Sequence, residues 1–484
     1  MKFLGIFYVK WYTTKEYRSY LQAERYGKQR MRRFESLKRI IVLQLSLIGL
    51  VFMTIGYYIV WYNSYYEVIA WRLKYTFKGY LLLIALYFML LLFFNYTYGG
   101  TKVGYWKAGD VILSQIFSAA IVNVITYIQI SLMSMKMVDI MPLMALSVFQ
   151  IVVAGGWTWV CQKVYQKVFP PRDMLLIYGD RPIQDILDKF DTRPDKYNIV
   201  KCINISEGME KIMEECQNGY GAVVLWDIPA RVRNDLMKFC YGRSIRVYMM
   251  PKITDVLVKG ADPIHLFDTP IFLTREYALT VEQRMAKRLI DVVCAFLLCV
   301  IASPFMLITA IAIKIYDKGP VLYKQTRCTM NGREFQILKF RSMRVDAEKD
   351  GVARLAAKND SRITPIGKFI RAVRIDELPQ LFNILKGDMS FIGPRPERPE
   401  IIAKYMEEMP EFAFRMKVKA GLAGYAQVYG KYNTTPYDKL KLDLFYIENY
   451  SVWLDLKLML LTLKILVKPE STEGVDQKQT TAMK

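Results

Sequence analysis

The chain of 484 residues contains a single histidine, His265, and this scarcity narrows the chemistry open to the protein. HExxH metal sites and triads with a histidine base have at most this one residue to use. The seven cysteines form no CxxC pair and no zinc-ligand spacing, which disfavours a disulfide framework and a zinc cluster. Chemistry must therefore rely on carboxylates, lysine, arginine or a metal held by oxygen ligands.

Acidic residues are also scarce: 45 Asp and Glu against 67 Lys and Arg give a formal net charge of +22. Hydrophobic residues nevertheless make up 53% of the chain, which is too apolar for an ordinary soluble protein of this charge. The combination is typical of a membrane protein with basic cytoplasmic parts. Nucleic acid also suits the charge, but a nucleic-acid site beside membrane segments has little support, and we expect none.

Four long apolar stretches follow a basic N-terminal segment, residues 1–39, that lacks the features of a cleaved secretory signal. Each is close to the ~20 residues that cross a bilayer. They cover residues 40–62, 80–98, 111–132 and 140–161, and we interpret residues 40–162 as a four-helix transmembrane domain. The basic N-terminus is expected in the cytoplasm, and an even number of spans returns the chain there.

Residues 172–270 have the character of a soluble α/β domain. The apolar strands MLLIYG, NIVKCIN, GAVVLWD and SIRVYMM alternate with helical patterns. This alternation predicts an open, mostly parallel, Rossmann-like sheet. A dinucleotide site would need GxGxxG after the first strand, and only Gly179 is present there, so we favour a structural or regulatory domain.

A third region, residues 277–468, opens with an apolar run at 289–315 that is long enough to span a bilayer. Ser303 and Pro304 lie near its middle, where proline removes a helical hydrogen bond. If the run spans, the rest of the chain lies outside the cell; if it turns back at this pair, the rest stays in the cytoplasm. Basic residues flank both ends, which favours a re-entrant helix hairpin. The polar tail, residues 469–484, is predicted to be disordered.

Three further helices are predicted in this region. Two have apolar residues at helical spacing: Ile366, Phe369, Ile370 and Val373, then Leu378, Leu381, Phe382 and Leu385. Each can bury that face in a core or lie in the membrane interface, and both interpretations stay open. The third, in SVWLDLKLMLLTLKILVK, carries three charges, which favours an interfacial or domain-packing helix over a fifth span.

Basic residues crowd the segment between residues 319 and 398. The planar fork of arginine and the point charge of lysine both suit phosphate oxygens. Six cations form a candidate pyrophosphate cradle: Lys339, Arg341, Arg362, Arg371, Arg374 and Arg395. The alternative is a basic surface that attracts anionic lipid, and different members of the set can serve either role.

Two adjacent carboxylates, Asp376 and Glu377, lie within this basic segment in the stretch RIDELPQ. Helix capping explains them poorly, because Pro379 favours the first helical position and so makes Leu378 the cap. Free carboxylates among arginines suit a nucleophile plus a magnesium ligand that act on a bound diphosphate.

From about residue 287 to 469 the sequence resembles the bacterial polyprenyl-phosphate sugar-phosphate transferases, specifically the large membrane-bound initiators of exopolysaccharide and capsule synthesis. The motifs run in order through KRLID, the Ser-Pro pair, GPVLYKQTR, LKFRSM, NDSRIT, RIDELPQLFNILKGDMSFIGPRPERPE, GLAGYAQV and LDLFYIENYSVWLDLKL. The series is far more specific than any one motif. The upstream spans and sheet resemble the plan of the large members without a comparable signature.

The resemblance implies a re-entrant helix broken at Ser303 and Pro304, and an aspartate, Asp376, that attacks the β-phosphate of a UDP-sugar. UMP leaves, and the covalent sugar phosphate passes to undecaprenyl phosphate. Glu377 would help hold Mg²⁺. Contacts to phosphate or nucleotide would fall to Lys339, Arg341, Arg362 and Arg395. Arg374 and the GLAG turn depart from the family pattern, so their roles are left open.

The expected protein is a multi-pass enzyme of the bacterial cytoplasmic membrane, a polyprenyl-phosphate hexose-1-phosphate transferase with a mostly α-helical catalytic domain. Its sheet and catalytic domains are expected in the cytoplasm, and its partners are a UDP-sugar, undecaprenyl phosphate and membrane lipids. The sugar, the role of the sheet and the oligomeric state, a homo-oligomer included, stay open. Two alternatives are a non-catalytic scaffold or regulator of polysaccharide assembly and a glycosyltransferase that releases UDP.

Overall fold

The computed structural model describes residues 37–70, 77–274, 276–344, 362–430 and 434–466. Most of the predicted N-terminal segment, 1–39, and all of the predicted polar tail, 469–484, lie outside these residues. The chain divides into two compact units, residues 1–250 and residues 251–484.

Helices of the first unit cover all four predicted membrane segments. They are α1 (Leu37–Tyr65), α2 (Tyr66–Ala70), α3 (Phe77–Tyr98), α4 (Ala108–Ser134) and α5 (Met141–Val168). All except α2 are long and apolar enough to cross a membrane. The final turn of α1, Trp61–Tyr65, is π-helical.

A ring of buried polar side chains joins three of these helices. The Tyr87 hydroxyl of α3 donates to Asn123 Oδ1 of α4 over 2.8 Å. Asn123 Nδ2 donates to Gln150 Oε1 of α5 over 2.9 Å, and Gln150 Nε2 returns a 2.6 Å bond to the Tyr87 oxygen. Because every polar group buried among apolar helices needs a partner, this closed ring fixes how α3, α4 and α5 pack.

The first unit continues as alternating strands and helices. They are β1 (Arg172–Tyr178), α6 (Gln184–Asp191), β2 (Tyr197–Asn204), α7 (Met209–Glu215), β3 (Ala222–Trp226), α8 (Ala230–Gly242) and β4 (Val247–Met249). The strands pair in the order β2-β1-β3-β4, and all pairs are parallel, which confirms the predicted parallel sheet. A side chain at Gly179 would meet the Asp227 carbonyl at 2.5 Å, so this glycine permits a close backbone approach after β1.

The second unit is mainly helical with short strands. It contains α9 (Ile253–Gly260), β5 (Asp262–Leu266), β6 (Thr269–Leu273), α10 (Val281–Asp317), β7 (Leu322–Cys328), β8 (Glu334–Phe340), α11 (Pro365–Ala372), α12 (Gln380–Lys386), β9 (Ser390–Ile392), α13 (Pro399–Glu408), β10 (Gly421–Ala423), α14 (Tyr425–Tyr429), α15 (Pro436–Glu448) and α16 (Val452–Leu466). The two compact units divide at residue 250, within the sheet domain predicted over residues 172–270, whose bounds stay a prediction. The division lies there because α9 packs on α15, with Lys259 Nζ 5.2 Å from the ring centre of Phe445.

Helix α16 packs into this unit. Leu458 and Leu461 are buried, and Asp455 Oδ2 forms a 2.6 Å ion pair with Lys287 Nζ of α10. The Tyr446 hydroxyl donates to the other oxygen of Asp455 over 2.7 Å. These contacts support the domain-packing interpretation of the C-terminal apolar stretch.

Helix α10 stays helical through Ser303 and Pro304, so this pair does not end the helix; a bend there, on which the predicted hairpin depends, stays a prediction. Proline has no amide hydrogen for the carbonyl four residues earlier, which belongs to Val300. The Ser303 hydroxyl donates to that carbonyl over 2.8 Å. The serine therefore replaces the hydrogen bond that the proline removes, and the helix continues.

Candidate active site

The predicted carboxylate pair lies in a single 3₁₀ turn, Ile375–Glu377, between α11 and α12. Arg374 precedes the turn with a left-handed backbone, φ 60°. Helix α12 begins at Gln380 with Pro379 at the cap position and no side-chain cap. The prediction that Pro379 is the first helical residue is wrong by one position. Its consequence holds: neither carboxylate caps α12.

Glu377 is surrounded by cations from three parts of the second unit. Its Oε1 atom lies 3.0 Å from Lys339 Nζ on β8 and 3.5 Å from an Arg395 nitrogen in the loop after β9. Its Oε2 atom lies 4.0 Å from Arg374. Burial alone would raise the pKa of Glu377, but Lys339, Arg395 and Arg374 together hold it well below its usual range. Glu377 is therefore a permanent anion near neutral pH.

Asp376 differs from its neighbour, because Asp376 is buried whereas Glu377 is partly exposed. Asp376 is 9% exposed, and it forms no ion pair within 4.0 Å in the part of the chain that the structure describes. Burial and the negative charge of Glu377 raise its pKa to about 6, against the opposing effect of Lys339, Arg371 and Arg374. In the described residues the oxygen atoms of Asp376 are thus not held in an ion pair and are available for attack on an electrophile.

Asn383 aligns the strand that carries Lys339 with the helix that follows the pair. Its side chain accepts a 3.0 Å hydrogen bond from the Leu338 amide and donates a 2.8 Å bond to the Gln336 carbonyl. Asn383 itself is only 3% exposed, and both bonds are partly buried. No sequence pattern distinguished this asparagine in LFNILKG.

A second buried group fixes the loop that carries Arg395. Arg415 donates to the Arg395 carbonyl over 3.0 Å and forms a 2.8 Å ion pair with Asp443, which is 1% exposed. Arg327 of β7 donates to the next carbonyl, that of Pro396, over 3.3 Å. Sequence reasoning missed Arg415 and Asp443, because their partners lie far away along the chain.

The structure thus gathers Lys339, Arg371, Arg374 and Arg395 around the carboxylate pair, Arg374 being the one whose role the resemblance left open. Arg341 is buried and packs against Gly319, beside a small cavity lined by Ile313 and Thr364. The Arg362 carbonyl accepts from the Arg344 amide over 3.0 Å, next to a short β-bridge. Phosphate contacts from Arg341 and Arg362 stay predictions.

Comparison with known proteins identifies the second unit. Residues 282–469 match the family described as "Bacterial sugar transferase". A UDP-glucose:undecaprenyl-phosphate glucose-1-phosphate transferase of Caulobacter vibrioides is 41% identical over 192 residues, which are 39% of this chain and 72% of the relative. The chain belongs to the bacterial sugar transferase family.

Other relatives within the bacterial sugar transferase family bear names with different sugars. A UDP-N-acetylgalactosamine-undecaprenyl-phosphate N-acetylgalactosaminephosphotransferase of Aeromonas hydrophila is 42% identical over 231 residues, 47% of this chain and 54% of the relative. An undecaprenyl-phosphate galactose phosphotransferase of Salmonella typhimurium is 32% identical over 243 residues, 47% of this chain and 50% of the relative. The chain thus spans about half the length of these two relatives.

Proposed function

We propose that this protein transfers a sugar 1-phosphate from a UDP-sugar to undecaprenyl phosphate, releases UMP and forms undecaprenyl-diphosphate-sugar. The reaction would be the first membrane step of exopolysaccharide or capsule synthesis. The observation that carries the proposal is the contrast within the carboxylate pair: Glu377 is neutralised by three cations, whereas Asp376 is buried beside them without an ion pair. The printed names of the relatives agree with this chemistry.

In the first step an Asp376 oxygen attacks the β-phosphorus, which carries the sugar. The bond from that phosphorus to the bridging oxygen breaks, and the oxygen leaves with UMP. In the second step a phosphate oxygen of undecaprenyl phosphate attacks the same phosphorus, and the Asp376 carboxylate leaves. Both nucleophiles are already anions, so neither step needs a general base. This agrees with a chain whose one histidine, His265, lies exposed on β5.

Lys339, Arg374 and Arg395 are suited to hold the diphosphate in this scheme. Positioned cations stabilise the charge that spreads over the phosphoryl oxygens in the transition state. Their ion pairs with Glu377 keep them oriented before substrate arrives. Arg371 contributes positive charge at Asp376 and thereby favours the ionised nucleophile.

The carboxylate pair also fits a magnesium ion bound together with substrate. Mg²⁺ is commonly held by one or two carboxylates plus substrate phosphates, without a dedicated cage. The described residues contain no cluster of three or more metal-ligating side chains, which agrees with that type of site. Glu377 Oε2 is the available oxygen, since its cation lies 4.0 Å away. Bound Mg²⁺ would neutralise charge on the diphosphate.

We further propose that α10 enters the membrane, bends near Ser303 and Pro304 and returns to the cytoplasmic face. Arg288, near its start, donates to the Ile384 carbonyl of α12 over 2.6 Å, and Ile313, near its end, packs with Ile370 of α11. Both ends of α10 therefore contact neighbouring helices of one compact unit. Between them Phe296, Ile301 and Leu307 are each at least 60% exposed, which suits lipid contact.

The helices beside the active site add to this apolar surface. Phe369 on α11 is 64% exposed, Val373 just after α11 is 48% exposed and Phe382 on α12 is 49% exposed, whereas Ile370 and Leu381 are buried. The two amphipathic helices thus supply both a core face and exposed apolar side chains. We propose that the site lies at the membrane surface, where the phosphate of a lipid acceptor is located.

We also propose that the first unit consists of four membrane spans and a Rossmann-like domain on the cytoplasmic side.

The test uses membranes that contain the full chain, Mg²⁺, undecaprenyl phosphate and a panel of UDP-sugars that includes glucose, galactose and N-acetylgalactosamine. We expect UMP, not UDP, to be released with at least one sugar. Asp376→Asn should abolish this release, and Glu334→Gln, which changes an exposed carboxylate on β8, should not. UDP as the product would indicate glycosyl transfer, and normal UMP release by Asp376→Asn would refute the nucleophile assignment.

A further inference from the structure

Cations also cluster in the first unit, where the membrane helices meet the sheet. Lys38 lies at the start of α1, Arg172 begins β1, and Lys196 immediately precedes β2. Arg193 donates to the carbonyls of Tyr105 and Gly104, in the loop between α3 and α4, over 2.9 and 3.3 Å. These contacts bring the ends of the helices and the edge of the sheet together at one place.

Lys38 is the most unusual member of this cluster. It is 9% exposed, and its Nζ atom lies 4.8 Å from the ring centres of both Tyr165 and Phe169 and 5.7 Å from that of Tyr105. Across the described ranges it has no hydrogen bond and no ion pair, so only the rings compensate its charge. The buried Tyr165 hydroxyl beside it also has no hydrogen-bond partner there. Buried polar groups of this kind are normally satisfied.

The carboxylate in the cluster, Asp195, is already paired with Arg193. Asp195 accepts bonds of 2.9 and 3.0 Å from Arg193, and this bonding lowers the pKa of Asp195. Lys196 lies 5.1 Å from the ring centre of Tyr105, and burial and then the charge of Arg193 lower its pKa. At Lys196 the repulsion from Arg193 therefore outweighs the attraction of Asp195, which leaves room for a further anion.

The location indicates the kind of anion. The start of α1, the loop between α3 and α4 and the end of α5 lie at the same end of the helix bundle, because Ser46 donates to the Thr101 carbonyl and Trp157 to the Leu45 carbonyl. Aromatic residues at the ends of apolar helices are typical of the headgroup level of a bilayer. Basic pockets between helices at that level bind phosphate headgroups.

We propose that the junction formed by Lys38, Tyr165 and Lys196 binds a phosphate group, with the Lys38 ammonium and the Tyr165 hydroxyl as donors. The group can come from an anionic phospholipid or from a soluble phosphate compound. Either source would link the helix bundle to the sheet through one shared anion.

The test uses the full chain in a neutral maltoside detergent. Native mass spectrometry follows the binding of phosphatidylglycerol, and thermal unfolding follows protection by inorganic phosphate. The variants are Lys38→Gln, the charge-retaining Lys38→Arg, and the matched control Lys163→Gln, an exposed lysine of α5 whose Nζ atom lies 6.0 Å from the ring centre of Trp159. UMP release reports whether each variant is folded.

We expect one phosphatidylglycerol to bind preferentially, with affinity reduced about tenfold in Lys38→Gln but retained in Lys38→Arg and Lys163→Gln. Protection by phosphate that is lost only in Lys38→Gln would support the site with a soluble ligand as its source. If both ligands act equally on the original chain and Lys38→Gln, or if Lys38→Arg fails to retain binding, the proposal is wrong and the aromatic cage is only structural.

Discussion

The proposed first step should lose rate as the pH falls through about 6, because Asp376 attacks only as the carboxylate. The pKa of Asp376 is raised from 3.8 to about 6, first by burial and then by the charge of Glu377. A raised pKa means that the protonated, non-nucleophilic form persists to higher pH. The fall in rate at low pH, the acid limb of the pH–rate profile, therefore reports the burial of Asp376 and the charges around it.

The size of the effect follows from that pKa. A group with a pKa of about 6 is roughly one tenth ionised at pH 5 and nine tenths ionised at pH 7, so the rate should fall about tenfold between them. An ordinary aspartate would remain more than about nine tenths ionised at pH 5, and its rate would hardly change. The change in rate between pH 5 and pH 7 expected for Asp376 is thus nearly ten times that expected for an ordinary aspartate.

The assay is a single turnover of UMP release at saturating UDP-sugar and without undecaprenyl phosphate, from pH 5 to 8. Omitting the acceptor isolates the first step from the titration of the acceptor's own phosphate. Arg371→Gln removes a charge that lowers the pKa of Asp376, so its acid limb should move to higher pH. Lys368→Gln, an exposed change on the same helix, is the control. A flat wild-type profile down to pH 5, or identical limbs for the two variants, would refute the reasoning.

Three further outcomes are expected. Asn383→Leu should lower the free energy of unfolding by about 1–3 kcal/mol in denaturant titrations, because two partly buried backbone groups lose their partner; an unchanged midpoint would contradict this. Lys287→Met should cost about 3–5 kcal/mol by leaving Asp455 buried without its cation, and adding Asp455→Leu should recover part of the loss. Single cysteines at Arg284 and Lys318, on either side of the apolar run 289–315, should both resist labelling from outside intact cells, whereas labelling at residue 318 alone would mean that the helix spans.

Sequence patterns predicted the features that depend on local or repeated properties. Bilayer thickness imposes long apolar runs, so α1, α3, α4 and α5 were recognisable by length and composition. Alternating strands and helices predicted the parallel sheet in the same way. The adjacent carboxylates were visible as acid within a basic segment.

The remaining features depend on contacts that no local pattern encodes. Arg374 reaches Glu377 because its backbone turns left-handed, and Arg415 meets Asp443 from a different element. Helix α10 continues through Pro304 because the Ser303 hydroxyl takes over one hydrogen bond, which a proline rule cannot anticipate. Contacts of this kind depend on the three-dimensional positions of side chains and cannot be predicted from local sequence.

Adjacency alone cannot divide the labour between Asp376 and Glu377, but their surroundings can. A carboxylate that is stabilised by Lys339 and Arg395 is a weak nucleophile, because attack would require it to give up those ion pairs. Burial raises the pKa of Asp376, which means that its anionic form is destabilised. This destabilisation is relieved when a carboxylate oxygen bonds to phosphorus, because the carboxyl group then no longer carries the charge. The same cations that disqualify Glu377 as the nucleophile are the ones suited to the substrate's phosphates. The electrostatics therefore favour attack by Asp376 and leave Glu377 to orient charge around it.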